Sequence, residues 1–269
     1  MHLIFYGTVY RSTIRRWPMP NTINVHPVLN ILSDIKLLAI IFAVTLSACS
    51  GSNNMTTPMP SVDTEDNSSN SSSARYRLTF TATWSQNTHT LNFPGNPHFS
   101  GLVGALHNEQ VIFWEPGQIA TPGIQSVAET GGKSNILPEV QTAIDAGSAL
   151  SIINEGGIGT SPGSTSIEFE VNQDYPQISL VSMLAPSPDW FVGIHNYSLL
   201  IDGEFVENAS IDLVLYDSGS DNGVRYQSLN SPTEPASPIG RVNSEAQDSP
   251  FADGEPIVGS FTIERLSLP

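Results

Sequence analysis

The stretch Tyr76-Arg77-Leu78-Thr79-Phe80-Thr81-Ala82 puts apolar side chains at positions 76, 78, 80 and 82, with Arg and Thr between them. A period of two marks an extended chain with one buried face, because successive side chains leave a strand on opposite sides. Outward from it, runs of similar character lie at 111–114, 167–171, 178–184, 197–201, 211–216 and 259–266, joined by connections rich in Gly, Pro, Asn and Ser. This pattern predicts an all-β fold, an antiparallel β-sandwich of about eight strands with at most one or two short helices. The one helix expected spans 138–146, with Pro138 in its first turn, Glu139 near its positive end and Gly147 just beyond it. There is no internal repeat.

The N-terminal quarter of the 269-residue chain reads differently. Residues 35–48 are an apolar run whose single charge is Lys36, followed directly by Cys49. So short a run suits a signal segment better than a membrane span. The ending Leu46-Ser47-Ala48-Cys49 resembles a bacterial lipobox, in which the cysteine thiol receives a lipid before cleavage. Residues 1–48 are therefore read as a lipoprotein-type signal segment, with Cys49 as the lipidation site and the link to the membrane. An uncleaved anchor and an ordinary cleavage site are the alternatives, and translation from either Met1 or Met19 fits. Cys49 is the only cysteine, so no disulfide can form within the chain. Residues 49–74 are rich in Ser, Asn, Thr and Pro without apolar periodicity, and are expected to form a disordered tether. The domain then occupies 75–269.

Removal of residues 1–48 would leave six Lys or Arg against 25 Asp or Glu. A chain this acidic cannot neutralise a phosphate backbone, which excludes nucleic acid as a partner. It is suited instead to attracting cations.

Two turns carry carboxylates. One is Pro186-Ser187-Pro188-Asp189-Trp190; the other, 28 positions after Asp189, is Asp217-Ser218-Gly219-Ser220-Asp221-Asn222-Gly223. Pro and Gly keep both segments out of helices and central strands. If they converge at one end of a sandwich, Asp189, Asp217 and Asp221 offer three carboxylates to a hard cation. Calcium is the natural candidate, since it takes several oxygen ligands and tolerates irregular geometry. The second turn is not an EF-hand, because Gly219 occupies its middle acidic position and no glutamate follows at the twelfth. Taken alone, a plain turn fits it equally well.

In their wider context these segments resemble the spondin N-terminal domain family. The resemblance rests on Ile178 through Gly193 (ISLVSMLAPSPDWFVG) and Tyr216 through Gly223 (YDSGSDNG). It extends to Tyr76-Arg-Leu-Thr-Phe, Thr83-Trp84-Ser85, His98 through His107 and Gly123 through Glu129, and so covers roughly 75–266. It implies a calcium-binding antiparallel sandwich of the kind found in extracellular matrix adhesion proteins and in bacterial surface proteins. It also implies Asp189, Asp217 and Asp221 as the calcium ligands. Ser218 and Ser220 stand where the family usually has Ala and Thr. The cysteines of animal members are absent from these blocks, and residues 1–269 contain no thrombospondin-type repeat.

The function expected is that of an exported, lipid-anchored, calcium-binding protein of the cell envelope or surface. It would serve adhesion to an extracellular protein or glycan and would not be an enzyme. A hydrolase is the first alternative, because Gly159-Thr160-Ser161-Pro162-Gly163 fits G-x-S-x-G. That elbow needs a strand before it and a helix after it. His98, His107 and Glu129 form a second candidate cluster, against the plainer reading of hydrogen-bonded core histidines. Trp84, Trp114, Trp190 and Phe191 raise a third alternative, a carbohydrate-binding sandwich with exposed aromatics.

Overall fold

In the computed structural model, which describes residues 72–251 and 257–267, the alternating stretch forms strand β1 (Ser73–Ala82). Then come β2 (His98–Phe99), β3 (Val103–His107), α1 (Pro122–Thr130), α2 (Ile136–Asp145) and β4 (Ala149–Asn154). The long strands β5 (Gly163–Asn172), β6 (Gln177–Ala185) and β7 (Trp190–Ser198) follow, and then the hairpin of β8 (Leu200–Ile201) and β9 (Glu204–Phe205). The remaining strands are β10 (Asn208–Val214), β11 (Tyr216–Asp217), β12 (Gly240–Arg241) and β13 (Ile257–Leu266).

One sheet has the order β10-β13-β1-β5 and the other β12-β11-β7-β6-β3-β4, with β2 pairing the end of β6. Every pairing is antiparallel. Between the sheets, Tyr76, Leu78 and Phe80 of β1 and Phe261 of β13 meet Leu180 and Leu184 of β6 and Val192 of β7. Phe80 stacks edge-on against both Phe99 and Phe261, at 4.9 and 5.2 Å. Burial of each such side chain contributes about 1.5–3 kcal/mol. The outer face of the larger sheet is covered by the helices. Ile124 and Val127 of α1 and Ile136 and Val140 of α2 pack on Val103, Val181 and Phe191. Strand β6 is thus buried on both faces, which accounts for its unbroken apolar run where β1 alternates.

The all-β sandwich is as the sequence indicated. Of the strands, those of five residues or more are β1, β3, β4, β5, β6, β7, β10 and β13. The expected helix is α2, beginning two residues earlier than the sequence suggested. Helix α1 was not anticipated: the Thr121 hydroxyl accepts the Ile124 N–H, and Pro122 occupies the first turn. Glu139 of α2 ties the pair together by accepting the Gly123 N–H at 2.7 Å and the Thr121 hydroxyl at 2.7 Å.

Residues 111–114 are not a strand. Phe113 and Trp114 are buried under the helices, while Ile112 is 45% exposed, so an irregular segment serves them without ladder bonds. The run at 197–201 is divided between the end of β7 and β8. The run at 211–216 breaks at Leu215 because the chain leaves one sheet there and enters the other. Cys49, the signal segment and the tether up to residue 71 lie outside the described residues.

Candidate metal centre

Strand β6 ends at Ala185 and β7 begins at Trp190, so Asp189 is the last residue of a four-residue turn. The Ser187 hydroxyl closes that turn by accepting the Trp190 N–H at 3.1 Å. Strand β11 then lies against the start of β7, with Tyr216 opposite Phe191 and Asp217 opposite Trp190. The Ser218 N–H continues the ladder to the Asp189 carbonyl at 3.1 Å. This short ladder is what carries the loop 217–223 onto Asp189.

The Asp189 side chain is fully buried, at 0% exposure. Its Oδ2 accepts four hydrogen bonds: from the Ser218 hydroxyl at 3.0 Å, the Ser220 N–H at 2.9 Å, the Ser220 hydroxyl at 3.3 Å and the Asp221 N–H at 3.0 Å. Its Oδ1, equally shut off from solvent, has no hydrogen-bond partner. Burial raises the Asp189 pKa above the ordinary carboxylate value, although the four donors oppose the shift.

Asp217 is half-buried beside it. Its Oδ1 accepts the Gly219 N–H at 2.7 Å. Gly219 sits at φ +76, and a Cβ there would run into the Ser237 carbonyl. The Asp217 pKa is pushed up to about 7, by burial first and then by the Asp189 charge beside it. The Gly219 N–H opposes this shift. So does the Trp190 indole N–H, which lies nearby without a hydrogen-bond partner. Two carboxylates in one dry site resist joint ionisation, so near neutral pH they hold a proton or need a cation.

Asp221 is buried next to this pair but contributes to it differently. Its backbone N–H points at Asp189, while its carboxylate accepts the Gly223 N–H and the Ser231 N–H, each at 2.7 Å. Asp189 and Asp217 are therefore near enough for one charge to act on the other, and Asp221 adjoins them with its oxygens engaged in its own loop. Among the described residues no three His, Cys, Asp or Glu side chains are grouped as a ready metal cage. The donor set still fits calcium in character: hard oxygens only, one of them a buried acceptor with nothing bonded to it.

Ser218 and Ser220 were overlooked by the sequence reading, which set them outside the carboxylate positions. Both hydroxyls reach Asp189 Oδ2 and lie 2.7 Å from each other. Tyr226 and Phe251 were also missed: Trp190, beside Asp189, packs edge-on against both, and the Trp84 indole N–H donates to the Tyr226 hydroxyl at 3.1 Å.

The other candidates have ordinary roles. The Ser161 hydroxyl donates to the Trp84 carbonyl at 2.6 Å, and a strand rather than a helix follows it. His107 is buried between Ser179 and the Asn108 carbonyl, His98 bonds the Asn96 carbonyl, and Glu129 accepts from Gln125. These three share no site. Trp84, Trp114, Trp190 and Phe191 are all buried, so they offer no exposed aromatic platform for a sugar.

Comparison with known proteins places this architecture. The chain is similar to spondin-1 of Gallus gallus, 34% identical over 208 residues that make up 72% of this chain and 26% of that protein. It is similar to spondin-2 of Homo sapiens, 30% identical over 197 residues that make up 72% of this chain and 57% of that protein. The chain thus spans about a quarter of spondin-1 and just over half of spondin-2. The family model Spondin_N matches residues 74–255 and so stops short of β13, which the structure places between β1 and β10. On this match and this fold, the chain belongs to the Spondin_N family.

Proposed function

We propose that this is a calcium-binding exported protein, lipid-anchored through Cys49, whose single spondin domain serves adhesion or another surface interaction. The observation carrying the calcium reading is the buried, unpartnered Oδ1 of Asp189 beside an Asp217 whose pKa stands near 7. Asp189 and Asp217 would hold the ion, with Asp221 as the third carboxylate. Calcium supplies positive charge and affinity for several oxygens at once. The protein's own part is to hold the turn 186–189 against the loop 217–223 and to keep that contact dry with Trp190. Ser218, Ser220 and the Asp221 N–H orient Asp189 by fixing Oδ2, which leaves Oδ1 for the ligand.

A binding role rather than an enzymatic one is supported by the hydroxyl of Ser161, which is committed to a backbone carbonyl. Export and lipidation are supported by the apolar run and Leu46-Ser47-Ala48-Cys49. Adhesion is supported by membership of the family, and the partner is an extracellular protein or glycan.

Thermal melts in calcium and in chelator test the metal. Wild type should melt higher in calcium, and Asp217→Ala should abolish the difference. Identical wild-type melts would refute the site. For the anchor, metabolic labelling with a radioactive fatty acid should mark wild type and not Cys49→Ser.

A further inference from the structure

Among the described residues β5 pairs only with β1, and β4 only with β3, so that both strands lie at sheet edges there. A groove of about 210 Å³ opens between these edges. Its floor is apolar, formed by Leu106, Ile153, Ile167 and Phe169, and its rims carry Glu155 on the β4 side and Glu168 and Glu170 on the β5 side.

An edge strand that must stay single is normally blunted by Pro, by charged side chains (Lys above all), by a bulge or by an inward charge. The ten residues of β5, GSTSIEFEVN, lack Pro, Lys and any inward charge, the register with β1 runs unbroken from Ser73–Asn172 to Ala82–Gly163, and the outward charges Glu168 and Glu170 repel acidic segments but not basic ones. Across the outer face, Glu264, Arg77 and Glu168 lie in one row and alternate in sign. The row stops at the edge on a carboxylate. Arg75 stands opposite Glu170, yet its guanidinium bonds Glu168 at 2.7 Å, and Arg77 reaches the same carboxylate at 2.6 Å. Among the described residues no cation bonds Glu170.

We propose that β5 accepts an extended segment of another protein, one in which apolar residues alternate with Lys or Arg, as a fifth strand of its sheet. Strand addition satisfies the open backbone groups, and alternate side chains set specificity. Apolar residues of the segment enter the groove beside Ile167 and Phe169. Its cations fall on the outer face beside Glu168 and Glu170 and continue the alternation of charge. A second copy of this chain is a poor occupant, since it would set glutamates beside glutamates between molecules that each carry a formal charge of −16. The inference deepens the surface-interaction reading by giving the partner's chemistry, and it does not depend on the metal.

The test uses the full chain with three labelled ten-residue peptides: alternating Val and Lys, alternating Val and Glu, and five Val followed by five Lys. Binding is read by fluorescence anisotropy in calcium and in chelator, and amide exchange locates it. The alternating Val/Lys peptide should bind best, equally in both buffers, and should slow exchange in β5. Glu170→Lys, an exposed change, should weaken that peptide on the order of fivefold and favour the Val/Glu peptide. Equal affinity for the alternating and block Val/Lys peptides would overturn the proposal. So would protection appearing outside β5, or β5 amides already protected in the free protein by a second copy or by the chain's own N-terminal segment.

Discussion

Replacing Asp217 by Asn should stabilise the chelated protein, although it removes a carboxylate proposed to hold the metal. The Asn Oδ1 can still accept the Gly219 N–H, so the turn is kept. What disappears is the conflict between two carboxylates. In the folded state the Asp217 pKa stands at about 7, against an ordinary value of 3.8. A raised folded pKa means that the folded state binds more protons between these values, so stability falls as pH rises from about 4 to 7. At about 1.4 kcal/mol per pH unit this amounts to some 4 kcal/mol, and relaxation of a half-buried, coupled group reduces it to about 2 kcal/mol. Urea unfolding in chelator should therefore find Asp217→Asn about 2 kcal/mol more stable than wild type at pH 7.5 and nearly equal to it at pH 4.5. The comparison is made between variant and wild type at each pH because burial lowers the pKa of His107, which destabilises the folded state below about pH 6.5 in both proteins alike. A variant less stable than wild type at both pH values would refute the reasoning, since it would show that the Asp217 charge is already compensated without metal.

Gly219→Ala puts a side chain at φ +76 and against the Ser237 carbonyl, so differential scanning calorimetry should show a loss of about 2 kcal/mol or more. The same variant should bind calcium more weakly by titration calorimetry, because Ser218 and Ser220 move with it. Phe80→Ala opens a cavity between the sheets among Phe99 and Phe261 and should cost about 3–5 kcal/mol in urea unfolding, with calcium affinity of the folded fraction unchanged.

The fold could be read wherever burial is one-sided or complete over several residues. The alternation of β1 and the apolar run of β6 are each dictated by which faces are covered. Segments whose environment is set by distant packing were opaque. Val111–Trp114 has strand composition, but its aromatics are drawn beneath the helices. Nothing in Ile211-Asp212-Leu213-Val214-Leu215-Tyr216 marks the passage between sheets at Leu215. Helix α1 did carry a signal, Thr121 followed by Pro122, but Gly123 weakened its helical pattern; the close packing of Ile136 and Glu139 is what makes glycine necessary there. At the carboxylate site, the Pro and Gly around Asp189, Asp217 and Asp221 marked the turns. The division of labour among them was not encoded locally. That Ser218 and Ser220 serve Asp189, and that the Asp221 side chain serves its own loop, follows only from the pairing of β11 with β7.

The most direct test is an anomalous-difference map from crystals grown with calcium. The account predicts one strong peak within about 2.3–2.6 Å of Asp189 Oδ1 and of a carboxylate oxygen of Asp217. A map with no peak there, or with its calcium peak bound elsewhere on the domain, would contradict it.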